Sequence, residues 1–221
     1  MTFIHEPYQF ADLKDTTVNG FRKYRTPSGE AYASVTSVLS ATADKRHLQE
    51  WRDRIGHEEA DKITRQAANR GTQMHKIFED FLNNSLDTSA YNPIQYTKFL
   101  EAKAYLAEHI SKIHNIEFAL YSDRLKIAGR CDLLCEWDGE LAIVDHKTSN
   151  RSKREDWITD YFIQKTLYAC MVYELLGLKV KKIVTFIVVD DETVPQIFVK
   201  QPGDYLKQAL ERVRKYHAIQ L

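Results

Sequence analysis

Asp132, Asp145 and Lys147 lie within one stretch, Lys126 to Ser149, whose middle is the pair Asp138-Gly139. Asp-Gly between two apolar runs is a strong hairpin signal, because both residues tolerate φ > 0. With those two as the loop, Trp137 faces Glu140, Cys135 faces Ala142, and Asp132 faces Asp145. Directly opposed carboxylates about 5 Å apart repel unless a cation lies between them. Lys147, two residues past Asp145, projects from the same face of its strand. Two acids and a lysine so placed suit hydrolysis assisted by a divalent metal. Hard oxygen ligands favour Mg²⁺ or Mn²⁺, and the lysine orients a water or neutralises developing charge. The hairpin by itself leaves a second reading open, two unrelated surface aspartates and a solvated lysine, because the register depends on loop length.

The elements that must position these residues come from a chain of 221 residues, long enough for one core-bearing domain with helical additions. Lys plus Arg and Asp plus Glu both number 31, so no global basic field points to nucleic acid, although a local groove can still be basic. Three cysteines are too few for a disulfide framework or a four-cysteine iron–sulfur cluster. Cys131 and Cys135 are expected on one strand face, opposite Asp132. No apolar run approaches the ~20 residues of a membrane span. His5, Glu6, Asp12 and Asp15 interrupt any signal or transit pattern, so a soluble cytoplasmic protein is expected.

Asn19-Gly20 and Pro27-Ser28-Gly29 read as turns, and Phe21 to Arg25 as an edge strand whose alternating aromatic and basic residues can also stack bases. Ser34 to Leu39 fits strand or helix. Asp44 to about Asn83 is helical, with breaks expected at Gly56 and Gly71, and Ile94 to Ile113 reads as a further helix. Ile116 to Tyr121 alternates as a strand ahead of the hairpin. Trp157 to Gly177 is a helix carrying Trp157, Tyr161, Gln164, Tyr168 and Leu175 on one stripe. Lys182 to Val189 and the Pro195-containing Thr193 to Lys200 read as strands, and Pro202 to His217 as a closing helix. The order implies an α/β fold (α+β with a mixed sheet) in one domain.

Gly129-Arg-Cys-Asp132, Asp145-His-Lys147-Thr148-Ser149, Gln164-x-x-x-Tyr168 and the upstream Gly71-x-x-x-His75 occur in the order of the RecB-like branch of the PD-(D/E)XK nuclease superfamily. The chain resembles that branch over roughly residues 70–190. Ala33 to Leu39, Trp51-Arg52 and Arg70-Gly71-Thr72 resemble its phage-encoded exonucleases, which are similar to the mitochondrial genome maintenance exonuclease, an enzyme acting on single-stranded DNA ends. The resemblance implies a restriction-endonuclease-like αβββαβ core over 70–200, with an N-terminal strand and helical extension over 1–69 and a C-terminal helix over 201–221.

By the same resemblance, Asp132, Asp145, His75 and the backbone carbonyl of His146 hold one or two Mg²⁺ or Mn²⁺ ions, and no iron–sulfur cluster is expected. Lys147 acts on the attacking water, with Gln164 and Tyr168 contacting substrate or holding Lys147. Glu79 and Glu117 are expected behind the ligands, Glu79 orienting the His75 imidazole. Arg65, Arg70, Arg130, Thr148, Ser149, Arg151, Lys153 and Arg154 are expected to track DNA phosphates, and helices before the core to arch over the strand. The implied activity is phosphodiester hydrolysis from ends of single-stranded DNA, by a monomer, in a phage or host setting. A duplex-end or flap nuclease of the same fold, or an inactive nucleic-acid-binding module, are the alternatives.

Overall fold

The computed structural model describes residues 2–18 and 20–219, so Asn19 of the expected Asn19-Gly20 turn lies outside the described residues. In chain order the elements are β1 (Ile4–His5), β2 (Asp15–Val18), β3 (Phe21–Arg25), β4 (Ala31–Ser34), α1 (Val35–Thr42), α2 (Arg46–Ile55) and α3 (His57–Leu82). Then come α4 (Pro93–His109), β5 (Ile110–Ser122), β6 (Ile127–Trp137), β7 (Glu140–Ser149), α5 (Thr159–Leu176), β8 (Lys182–Val189), β9 (Gln196–Lys200) and α6 (Pro202–Ile219). The fold is mixed α/β, with parallel and antiparallel strands in one sheet.

The hairpin forms as its turn residues dictate. Asp138 and Gly139 take φ of 50° and 74°, both left-handed, and Trp137 pairs with Glu140. The antiparallel ladder then runs from Trp137↔Glu140 to Leu133↔Val144, where it stops. β7 and β8 lie parallel, with α5 as the crossover, and β9 closes that edge antiparallel to β8. Along its other edge β6 pairs with β5 from Ile127 to Trp137.

The remaining edge of β6 is shared. Ile127 and Ala128 pair with Ala33 and Ser34 of β4, whereas Leu133 to Trp137 pair with β7. Between those two partners, Gly129 to Asp132 face an opening in the sheet instead of a neighbouring strand. A β-sheet that splits in this way leaves side chains and backbone groups there free for other work.

Helices cover both sides. Ser34 caps α1 by accepting a hydrogen bond from the Ser37 amide. On one face α1, α5 and α6 pack through residues such as Val38, Leu167, Met171 and Val213. On the other, α3 and α4 bury Met74, Ile77, Phe78, Leu82, Phe99 and Leu106 against Leu133, Val144 and Phe186. Met74, Ile77, Phe78 and Leu82 recur at helical spacing, and burying each such side chain contributes about 1.5–3 kcal/mol.

Several expectations are corrected. α3 runs 26 residues without a break at Gly71, because the four buried side chains beyond it, Met74, Ile77, Phe78 and Leu82, anchor the helix and outweigh a local penalty of about 1 kcal/mol. The helix expected to reach Ile113 ends at His109, and Ile110 already pairs with Trp137 in β5. β3 is interior, since β2 lies outside it. Cys131 and Cys135 lie in opposite core layers, the first beside α5 and the second beside α3. Strand alternation breaks between them, and it breaks on β5 too, where Ile116 and Phe118 also face opposite layers. Glu117, between those two, has φ 47°. Among the described residues no helix is long and apolar enough to cross a membrane.

Candidate active site

The opening beside Gly129 to Asp132 is a cavity of about 230 Å³. Its lining includes His75 of α3, Glu117 of β5, Asp132 of β6, Asp145 and Lys147 of β7, and Gln164 and Tyr168 of α5. Asp132 and Asp145 do not face each other as a ladder pair. The strands separate one step short of them, and Asp132 Oδ2 instead accepts a hydrogen bond of 2.9 Å from the His146 amide. That amide has lost its strand partner, and the carboxylate supplies the substitute.

His75, Glu117 and Asp132 converge. His75 Nδ1 lies 3.5 Å from Asp132 Oδ2 and 3.8 Å from Glu117 Oε1. One donor atom from each of the three lies within 4.8 Å of the others. An imidazole and two carboxylates make a donor set that fits a divalent cation with mixed nitrogen and oxygen preference. Burial and the Asp145 charge push Asp132 up to about 6, against the His75 and Lys147 charges. His75 is lowered by burial, but Glu117 and Asp132 outweigh that and raise it. A cation in this cluster relieves the same repulsion that raises Asp132.

Glu117, read from the sequence as a residue behind the ligands, therefore stands with His75 and Asp132. Its left-handed φ turns the carboxylate toward α3, and the Arg130 guanidinium donates to its backbone carbonyl. Non-glycine residues in that region carry strain that surrounding contacts must hold. Glu79, expected to orient His75, pairs with Lys76 at 3.6 Å instead.

Asp145 is turned the other way. Its two oxygens each lie 2.7 Å from Lys147 Nζ, and Lys165 Nζ is 3.8 Å from Oδ2. Burial raises the Asp145 carboxyl, but the two lysines outweigh it and hold it below its usual range. Lys147 is lowered by burial and raised by Asp145 and Asp132, with a net rise. It remains cationic at neutral pH. Its Nζ also sits 5.2 Å from the Tyr161 ring centroid.

Gln164 Nε2 donates to the Tyr168 hydroxyl at 3.3 Å, one helical turn apart. Tyr168 crosses β6 at Gly129, where an added Cβ would lie 2.7 Å from its ring Cε1. The glycine is there because the tyrosine needs the space. The His146 side chain points away from the cavity, stacked on Phe78 at 4.6 Å, and burial pushes it down to about 3.

Of the residues expected to track DNA, Arg130 lines the cavity, and Arg65 and Arg151 are exposed. Arg70 is paired with Asp190 at 2.9 Å. Ser149 donates its hydroxyl to the Arg151 carbonyl, and the Lys153 amide bonds Gln196, so these contacts shape the loop after β7. Thr148 is half-buried beside Gly71. Arg154 is ion-paired with Asp156 and lies over the Trp157 ring, 5.6 Å from its centroid.

The sequence marked Arg22 and Tyr24 only as part of a strand that could stack bases, and it missed that they form one wall of the site with Ser34 and Thr36. It also missed Lys165. The placement of that wall had no local signal, since only the β4–β6 pairing brings those residues in. Lys165 had one, as the only charged residue in the run Tyr161 to Val172 of a helix buried nearly all round.

A mixed sheet split beside an Asp…Asp-x-Lys hairpin, with a helix-borne histidine, defines the PD-(D/E)XK class, and the chain belongs to the PD-(D/E)XK nuclease superfamily, whose family model matches residues 94–218. Enzymes of that superfamily use divalent metals. The chain is 26% identical over 127 residues to mitochondrial genome maintenance exonuclease 1 of Mus musculus, covering 54% of this chain and 38% of that protein. It is 26% identical over 129 residues to the Homo sapiens protein of the same name, covering 54% and 37%, and 26% identical over 136 residues to that of Xenopus tropicalis, covering 58% and 39%. The matched stretch is therefore less than two-fifths of the length of those relatives.

Proposed function

We propose that this protein is a divalent-metal-dependent deoxyribonuclease that degrades single-stranded DNA from its ends. The observation that carries the reading is the cavity itself, with a His75–Glu117–Asp132 donor cluster on one side and the Lys147 ammonium on the other. Bound there, Mg²⁺ or Mn²⁺ would polarise a phosphoryl oxygen and acidify a water. His75, Glu117 and Asp132 would hold it, with Asp145 completing the set once Lys147 leaves that carboxylate. Lys147 then orients the attacking water and offsets charge building on the phosphate. Gln164 and Tyr168 line the same cavity and contact the strand. The basic loop after β7 supplies phosphate contacts.

The end-preference rests on the relatives, and the strand-preference on the resemblance carried by Ala33 to Leu39, Trp51-Arg52 and Arg70-Gly71-Thr72. The relatives are exonucleases by name. A gel assay with end-labelled linear single-stranded, linear duplex and circular single-stranded DNA, with Mg²⁺, Mn²⁺ or EDTA, tests the reading. Linear single strands should shorten only with metal while circles persist. Cleavage of circles, or equal loss of duplex, would remove the end- or strand-preference, and no cleavage with either metal would remove the activity.

A further inference from the structure

The side chain of Lys165 is completely buried, its Nζ has no hydrogen-bond partner among the described residues, and the carboxylate nearest it is Asp145, at 3.8 Å. Aromatic faces wall it in, with Tyr161 and Phe162 ring centroids 5.9 Å and 5.8 Å away. Asp145 is only 2% exposed and lies between this lysine and Lys147. A buried ammonium without full hydrogen bonding is costly, and its persistence needs a local reason.

The reason is on the other side of the carboxylate. In this arrangement Lys147 hydrogen-bonds Asp145 Oδ1 and lies 2.7 Å from the unbonded Oδ2, and on the nuclease reading it must leave them to meet water and phosphate. A buried carboxylate that exchanges Lys147 for a metal ion must keep its orientation through the exchange, and a second fixed charge behind it can hold that orientation. We propose that Lys165 is a positioning residue that holds the Asp145 carboxylate from the helix side whenever Lys147 turns toward substrate. This role rests on the nuclease reading for what draws Lys147 away, but the sharing of Asp145 by two lysines does not. Lys165 touches neither cavity nor substrate, so it acts through Asp145. Lys147 is reached by the cavity, whereas Lys165 is sealed, which fits one lysine to move and the other to stay.

Metal-free melting curves read the sharing without DNA or cation. The set is Lys147→Met, Lys165→Met and the double variant, each with Asp145 and with Asp145→Asn. Either lysine alone leaves Asp145 one cation, so single variants should shift by only a few degrees. Removing both leaves the carboxylate buried and unpaired, and the double variant should melt about 10 °C lower, beyond the two single shifts added. Asp145→Asn should erase that excess. Additive shifts, or an excess that survives Asp145→Asn, would overturn the proposal. On labelled single-stranded DNA, Lys165→Met should keep KM within about twofold and lose kcat about 10–100-fold. An unchanged kcat would also overturn it. A parent that cleaves no DNA yet shows the melting excess would remove the nuclease reading and leave the two-lysine hold on Asp145 supported.

Discussion

The Arg130 guanidinium donates a hydrogen bond to the backbone carbonyl of Glu117, the residue of β5 with φ 47°. The two sit on adjacent strands, beside the point where alternation breaks on both. An arginine expected to touch DNA thus holds the strained backbone that presents a carboxylate to His75 and Asp132.

That relationship sets a first expectation. Arg130→Met removes a charge-assisted bond from a half-buried backbone and should cost about 1.5–3 kcal/mol of stability in urea unfolding. It should also weaken Mn²⁺ binding about 10-fold by calorimetry, because Glu117 is freed from its position. Loss of DNA affinity with metal binding unchanged would return Arg130 to a phosphate-contact role.

Asp132 gives a pH dependence whose sign is fixed. Its folded value, about 6, lies above the ordinary 3.8, so the stability it contributes is fully present below 3.8 and lost as pH rises through about 6. The metal-free protein should lose up to roughly 3 kcal/mol over that interval from this group. Added Mn²⁺ should stabilise the protein more at pH 7.5 than at pH 5, since protons compete for the same oxygen. A metal-induced rise in Tm equal at both pH values would contradict the cluster.

Lys147→Met should abolish detectable turnover while leaving single-stranded DNA binding within a few-fold of the parent, because the lysine acts on the reacting centre rather than on docking. Asp145→Asn should lose turnover as completely. A Lys147→Met protein that no longer retains DNA in filter binding would place the lysine in substrate capture instead.

At Gly129 the expectation is steric. Gly129→Ala places a methyl 2.7 Å from the Tyr168 ring, so the ring must move into the cavity. The variant should lose about 1–3 kcal/mol and most of its kcat. Tyr168→Leu in the same chain should restore stability but not rate. A Gly129→Ala protein with parental Tm would show that the ring yields freely.

How far the residues could be read in advance follows from how local each signal was. Asp138-Gly139 dictated its own turn and with it the Trp137↔Glu140 register. The parallel β7–β8 pairing followed from a crossover helix between two β-branched runs. The end of α4 was hidden, because Ala-Glu-His-Ile-Ser-Lys carries no glycine or proline and the strand wins only by pairing Ile110 with Trp137. The Cys131 face was misread because period two was assumed across Asp132, where the strand turns. Glu117 carries no residue-type signal for φ 47°, since the conformation is imposed by Arg130 and by the diverging strands.

The cavity borrows one wall from β3, β4 and α1, which lie ahead of the matched family segment and reach the site only by annexing the spare edge of β6. A chain trimmed to start at residue 94 would forfeit His75 along with that wall, leaving backbone amides and carbonyls of Ile127 and Ala128 unsatisfied and open to pairing with another molecule. On the proposed function, the minimal catalytic unit is thus larger than the segment by which its kinship is detected.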